Sequence, residues 1–337
     1  MQFVKKNAAL IAPSAKTAFD VAVWVRAVSY THLDVYKRQV LERAKQMRCP
    51  VFVHVNTIKG KGYAYAEENP SAYHGVSQFD VKVGTTETVE ANFSSVFGKT
   101  LSELADKNDK ICAITAAMKY GTGLQYFSAH HKNRLYDVGI AEEHAVSYAA
   151  GLAKAGMLPV FAVYSTFLQR GYDQIIHDIA ISGQKVILAI DRAGIVGDDG
   201  ETHQGVFDVS FLNAVPGITI YSPSNYAELR ICLNEAVHNE QIAGCAIRYP
   251  RGKQHSEAES IAAVKGHLLC TTENTLSKIL LISYGRLVYE CKEAVTLLRE
   301  KGIHPRYYYS LQRFAVRSQS VIKLLGRLKI PLLIFYL

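Results

Sequence analysis

Short apolar runs that alternate with stretches long enough for a helix fill the middle of this chain, and they leave few folds open to it. The runs are "ICAIT" from Ile111, "LYDVGI" from Leu135, "LPVFAVY" from Leu158, "QKVILAI" from Gln184, "GITIYSP" from Gly217 and "GCAIRYP" from Gly244. Strand–helix alternation at this spacing predicts an α/β fold, a parallel sheet with helices on both faces. Upstream, "VLERAKQMRCP" from Val40 reads as a helix and "VFVHVNT" from Val51 as a buried strand ended by "IKGKGY". A polar, loop-like passage from Ala64 to about Glu87 and a helix near Glu90–Asn108 follow. From about Ala262 a second αβ unit begins, with "KILLISYG" as its strand and "RLVYECKEAVTLLREKG" as its helix. The expected divisions are 1–39, 40–87, 88–258 and 259–337.

The formal charge of +8 invites a polyanion or membrane reading, but its distribution argues against one. Residues 1–48 hold nine Lys/Arg against three acids and residues 301–337 hold seven against none, leaving a mildly acidic body with 22 bases and 27 acids. No nucleic-acid partner is expected. No run approaches the roughly 18 apolar residues that span a bilayer, so no membrane partner is expected either. The six cysteines have no CxxC pair and sit mostly in apolar runs, the pattern of reduced thiols in a cytoplasmic protein. Two lysines before a mildly apolar stretch imitate a secretory leader, but Pro13, Ser14 and Lys16 break its apolar region.

Parallel α/β sheets collect ligands at the carboxyl ends of their strands. Three segments there are dense in reactive groups. In "LYDVGIAEEHAVSYAAGLAKAG" a strand ends at Gly139 and an Ala-rich helix opens on Glu142, Glu143 and His144. These carboxylates stand where a catalytic acid is expected, but taken alone the pair reads as complementing the positive end of a helix dipole. "VYSTFLQRGYDQIIHDIA" follows the next strand with Tyr164, Phe167, Gln169 and Arg170; taken alone, Phe167 reads as core and Arg170 as a solvated charge. "DRAGIVGDDGETHQGVFD" packs Arg192, Asp198, Asp199, Glu201 and His203 into twelve residues after a buried strand. Its acids lack the alternation and terminal Glu of a calcium loop, so function without a bound calcium is expected.

Taken in order, "DVGIAEEHAVSYAAG", "VYSTFLQRGYDQ", "DRAGIVGDDGETHQGVFD" and "RYPRG" resemble the pyrimidine domain of the 1-deoxy-D-xylulose-5-phosphate synthases, a family of the transketolase superfamily. "HVNTIKGKGYAYAEENPSAYHGV" resembles the end of that family's first domain, and "KILLISYG" the start of its third, so the likeness runs from about Val40 to His304. The resemblance implies a thiamine-diphosphate enzyme that uses Mg2+ and condenses pyruvate with glyceraldehyde 3-phosphate for isoprenoid-precursor, thiamine and pyridoxal biosynthesis, as a homodimer. It implies that Glu142 hydrogen-bonds N1′ of the aminopyrimidine from a buried position, with Glu143, in the place of the usual Gln, pointing elsewhere. Phe167 would stack on the pyrimidine and Ile140 support the bent cofactor, with Tyr63 and His74 cofactor-proximal. Tyr164, Asp199 and His203 match positions around the reacting carbonyl. Arg192, with Arg251 or Arg248, would hold the aldehyde's phosphate. Lys59 and Lys61 face either a diphosphate or solvent.

The chain departs from the family pattern in two ways. The Gly-Asp-Gly motif that holds the family's magnesium is absent, so no metal ligands are expected in this chain. Val28–Gln39 interrupts the likeness, and from Arg306 onward it stops; both misfits coincide with the basic ends, which reads as truncation or a joined fragment. Three readings follow: a synthase by descent, a split transketolase-type subunit that needs a partner chain, or a non-catalytic fragment.

Overall fold

The structure is a computed structural model and describes residues 22–26, 30–56, 58–70, 72–73, 79–84, 90–258, 269–270, 279–310 and 332–334. The chain forms two compact units, Met1–Thr88 and Val89–Leu337. In the first, β1 (Ala22–Arg26), α1 (Tyr30–Gln46) and β2 (Phe52–Asn56) make a parallel pair with a crossover helix, followed by the short α2 (Ala64–Glu68). Helix α1 begins ten residues before Val40, the expected start, because no Gly or Pro between Tyr30 and Gln46 interrupts it. Helix α2 lies within the stretch expected as a loop; Glu67 ties its first turn down by accepting from Gly62 N at 2.9 Å and Lys61 Nζ at 3.1 Å.

The second unit is built on a six-stranded parallel sheet. In chain order its elements are α3 (Phe93–Ala105), β3 (Ile111–Thr115), α4 (Leu124–His131), β4 (Leu135–Asp137), α5 (Glu142–Lys154) and β5 (Leu158–Tyr164). Then come α6 (Ser165–Leu168), α7 (Tyr172–Gln174) running into a π-helical turn at Ile175–Ile181, β6 (Val186–Asp191), α8 (Asp208–Ala214), β7 (Thr219–Tyr221), α9 (Tyr226–His238) and β8 (Gly244–Arg248). The strand order is β4-β3-β5-β6-β8-β7, all neighbours parallel.

The apolar runs follow from this layering. In β6, Ile187 and Ala189 join a core with Phe97, Phe127 and Leu233 under α3, α4 and α9, while Val186, Leu188 and Ile190 join one with Val146, Leu168 and Ile179 under α5 and the π-helical turn. A strand covered on both faces has no polar side to show, which is why it is read as a continuous run. Helix α3 starts at a capping box, Asn92 Oδ1 accepting from Ser95 N at 2.8 Å and Ser95 Oγ from Asn92 N at 2.9 Å. Its Gly98 meets Gly123 so closely that an added Cβ would lie 1.9 Å from the Gly123 carbonyl oxygen. Gly98→Ala should therefore lower unfolding stability by about 1–3 kcal/mol through overpacking, readable as a shifted urea midpoint. An unchanged midpoint would mean that α3 and α4 do not pack this closely.

Beyond β8 the chain adds a second sheet of β9 (Leu269–Cys270), β10 (Leu280–Tyr284), β11 (Arg306–Ser310) and β12 (Leu332–Ile334), ordered β12-β10-β11-β9, with α10 (Val288–Glu300) against it. Strands β11 and β12 fall where the family likeness stops, yet both pair parallel with β10. Cys112, Cys232, Cys245 and Cys291 are buried free thiols. No helix among the described residues is long and apolar enough to cross a membrane.

Candidate active site

Strands β3 and β5 are neighbours, but β4 lies beyond β3 and β6 beyond β5, so the connections leaving this pair diverge. Such a divergence opens a crevice at the carboxyl edge of a parallel sheet. Two described non-glycine residues have left-handed backbone, Ala117 (φ 61°) after β3 and Arg192 (φ 57°) after β6, both on loops leaving this edge. Strain of this kind needs local support. Asp137 supplies it for Ala117, its Oδ1 accepting from Ala117 N at 2.8 Å and from Gly139 N at 3.0 Å. Strand β4 ends at Asp137, two residues before the expected Gly139, because those side-chain bonds replace the ladder.

Glu142 occupies the first turn of α5 and is 2% exposed, while Glu143 is exposed. Ala141 provides no side-chain cap, so the two carboxylates are the groups that complement the helix dipole. Both Glu142 oxygens lie 2.9 Å from Arg170 Nη1. Arg170, read from sequence as a solvated charge, is thus an ion-pair partner; Gly171 beside it packs on Val146 and the Glu142 backbone, which brings the two segments close enough. The same guanidinium lies 4.9 Å from the Phe167 ring centre. Phe167 stacks near Tyr164 at 5.9 Å and meets the His203 ring edge-on at 5.3 Å.

Tyr164 carries the cluster onward. The Arg192 guanidinium lies 3.8 Å above its ring, and Gly121 faces its hydroxyl so tightly that a Cβ there would clash. Burial pushes the Tyr164 phenol up to about 12, against an opposing pull from Arg192, so it stays a neutral donor at physiological pH. Arg192 itself donates from Nη1 to Gly121 O at 2.7 Å and Asp191 Oδ1 at 3.1 Å, and from Nε to Asp199 Oδ2 at 3.1 Å. Asp191, fully buried at the end of β6, also accepts from Arg192 N at 2.7 Å and Ser94 Oγ at 2.6 Å. Burial raises its carboxyl, and Arg192 and Ser94 pull it back. Burial alone would lower Arg192, but Asp191, Tyr164 and Asp199 outweigh it and raise it. Arg251 Nη1 lies 2.9 Å from Asp199 Oδ1, so Asp199 bridges two guanidiniums.

Seven of the expected residues, Glu142, Tyr164, Phe167, Arg192, Asp199, His203 and Arg251, therefore form one connected cluster. Arg248, the alternative to Arg251, is not among them. It is the last residue of β8, on the face of Ala246, and buries its guanidinium against Asp208 (2.8 and 3.3 Å) and Ser222 Oγ (3.1 Å). Ile140 is 80% exposed on the loop before α5. Tyr63 belongs to the first unit, donates to Val81 O at 2.9 Å and packs among Tyr65, Tyr73 and Phe79. His74 lies outside the described residues. Lys61 pairs with Glu67, and Lys59 is exposed on the same turn. Sequence reading missed Arg170, Asp191, Ser94 and the loop "AAMKYGTG"; the two glycines after the buried run "ICAIT" were the available signal for the loop.

A model of the family described as "Transketolase, pyrimidine binding domain" matches residues 90–255. Relatives named 1-deoxy-D-xylulose-5-phosphate synthase include one from Halothermothrix orenii, 45% identical over 89% of this chain, and one from Caldanaerobacter subterraneus, 49% identical over 79%. The chain belongs to the 1-deoxy-D-xylulose-5-phosphate synthase family. It spans about half the length of the curated relatives it matches, 48% and 43% in these two. Among solved structures, "Split gene transketolase, inactive beta4 tetramer" superposes with a TM-score of 0.60 at 22% identity, covering 71% of this chain and 77% of that one. "Transketolase from Leishmania mexicana" does so with 0.60 at 18%, covering 75% and 40%. Both carry the transketolase-type α/β fold.

For a member of this synthase family the natural question is whether the cluster fits thiamine diphosphate. The pyrimidine end fits: a buried carboxylate beside an aromatic face is the donor set for a protonatable ring nitrogen on a flat heterocycle. With one guanidinium nitrogen on it, the Glu142 carboxylate keeps acceptor capacity for a second partner. Among the described residues no three His, Cys, Asp or Glu side chains are grouped to hold a metal ion.

Proposed function

We propose that the chain supplies the pyrimidine-binding half of a thiamine-diphosphate-dependent 1-deoxy-D-xylulose-5-phosphate synthase acting on pyruvate and glyceraldehyde 3-phosphate. The observation that carries this is the continuity of one cluster from the buried Glu142 through Phe167 and Tyr164 to Arg192 and Arg251. When bound, thiamine diphosphate supplies the nucleophilic carbon and the electron sink for decarboxylation. Glu142 would hold and exchange a proton at a ring nitrogen of the bound pyrimidine, and Phe167 would orient that ring by stacking. Tyr164, as a neutral phenol, and His203, whose Nδ1 lies 2.9 Å from Thr202 Oγ1, serve the reacting carbonyl. Arg192 and Arg251 hold the phosphate of the aldehyde, for which forked guanidinium donors are suited. By family likeness the enzyme works as a cytoplasmic homodimer.

Calorimetric titration with glyceraldehyde 3-phosphate tests the phosphate assignment. Arg192→Ala should weaken binding about 10- to 100-fold, the loss of charged hydrogen bonds, and leave the weak binding of unphosphorylated glyceraldehyde unchanged. Equal losses for both aldehydes would overturn it. Titration with thiamine diphosphate and Mg2+ tests the cofactor half: binding by the chain alone contradicts a non-catalytic fragment, and binding only after a chain carrying the diphosphate half is added identifies a split enzyme.

A further inference from the structure

Two carboxylates meet Arg192, one of them shared with Arg251, and they differ in how firmly they are held. Asp191 sits wholly buried at the end of a central strand, with hydrogen bonds from Ser94 and from the Arg192 main chain. Asp199 sits in paired 3-10 turns, Gly197–Asp199 and Glu201–His203, joined at Gly200, and its side chain is 19% exposed. Its two oxygens each face a different guanidinium, Oδ2 at 3.1 Å from Arg192 Nε and Oδ1 at 2.9 Å from Arg251 Nη1. That is the arrangement an oxyanion with two free edges would adopt between the same two side chains. Arg192 Nη1 is committed to Gly121 O and Asp191 Oδ1, and the guanidinium plane lies over Tyr164.

We propose that Asp199 is an internal stand-in for the substrate phosphate and acts as a specificity filter: an anion enters by displacing the Asp199 carboxylate from both guanidiniums. A phosphate monoester carries about −1.5 to −2 charges at neutral pH and three acceptor oxygens, and so outcompetes a carboxylate for two forked donors. A monoanionic carboxylate exchanges one equal group for another and gains nothing. The filter thus admits phosphorylated aldehydes and turns away carboxylate-bearing aldehydes of similar size. Displacement also frees the turn that carries His203, which lies against Phe167 and Tyr164. The inference rests on the proposed phosphate role of Arg192 and Arg251.

Calorimetric titration of the full chain with inorganic phosphate and with acetate tests it. The wild type should take phosphate and exclude acetate. Asp199→Asn, nearly isosteric but neutral, should bind phosphate about tenfold more tightly and admit acetate, because the internal competitor is gone. Asp199→Ala, which removes the carboxylate without leaving an amide, should move both affinities in the same direction. If both variants bind phosphate no better than wild type and still exclude acetate, or if no form binds phosphate at all, the filter is overturned. Failure of the underlying reading looks different: Arg192→Ala and Arg251→Ala would then bind phosphate as the wild type does, whatever Asp199 variants do.

Discussion

Replacing Asp208 by Ala is expected to lower the unfolding free energy by about 3–5 kcal/mol, the penalty for leaving a buried charge without its partner. The Arg248 and Asp208 side chains are 7% and 0% exposed, and two of the guanidinium's donors are committed to the carboxylate at 2.8 and 3.3 Å. After truncation Ser222 Oγ, at 3.1 Å, remains as a neutral acceptor. Asp208 is also the first residue of α8, where its charge favours the helix N-terminus, and its Oδ1 accepts from Val209 N at 2.8 Å. The double variant Asp208→Leu/Arg248→Met should recover much of the loss, because replacing both members of a buried pair by apolar groups is often close to neutral. Urea denaturation followed by circular dichroism measures both. A loss below about 1 kcal/mol for Asp208→Ala would show that Arg248 finds water or another acceptor and is not locked in the core. Phosphate binding should be little changed in the folded double variant, since Arg248 lies outside the Arg192–Arg251 cluster.

The same pair shows where sequence legibility ends. The motif "RYPRG" offers two arginines, and family likeness leaves the choice between them open. The strand register separates the two: Arg248 is two residues after Ala246, so it falls on the α8 face, whereas Arg251 lies beyond the strand and meets Asp199. The alternation that identifies a strand therefore also sorts its terminal charges, once the strand's last residue is known. Asp208, 40 positions away, had no local signal at all. The partner of Arg170 was hidden for a related reason. Helical spacing describes one helix, but its partner Glu142 belongs to another, and the approach is set by the missing side chain of Gly171. By contrast, the sheet was legible because burial on both faces leaves runs such as "ICAIT" with no polar residue to hide them. The left-handed turns at Ala117 and Arg192 were not, because neither residue favours that backbone and each is held in it by a side-chain carboxylate, Asp137 from the next strand for Ala117 and the adjacent Asp191 for Arg192.

In an assembly that contains the diphosphate-binding half, Glu142→Gln should lower turnover by about 10²- to 10⁴-fold, the range expected when a positioned proton-transfer group is removed. The glutamine amide keeps the shape and can still hydrogen-bond a ring nitrogen, but it neither takes nor releases a proton there. It also leaves the Arg170 guanidinium without a counter-charge in a position where both bonds at 2.9 Å now end on that carboxylate. Because Arg170 is partly exposed and Glu142 is not, water rehydrates the arginine, and the fold should tolerate the change better than it tolerates Asp208→Ala. Two readouts separate chemistry from folding. The thermal midpoint should shift little, and binding of thiamine diphosphate should weaken far less than turnover, since stacking on Phe167 is retained. The KM for glyceraldehyde 3-phosphate should stay near the wild-type value, because Arg192 and Arg251 are anchored on Gly121, Asp191 and Asp199. A Gln variant that keeps more than about a tenth of wild-type turnover would remove Glu142 from the proton path and leave the Arg170 pair as an element of packing alone.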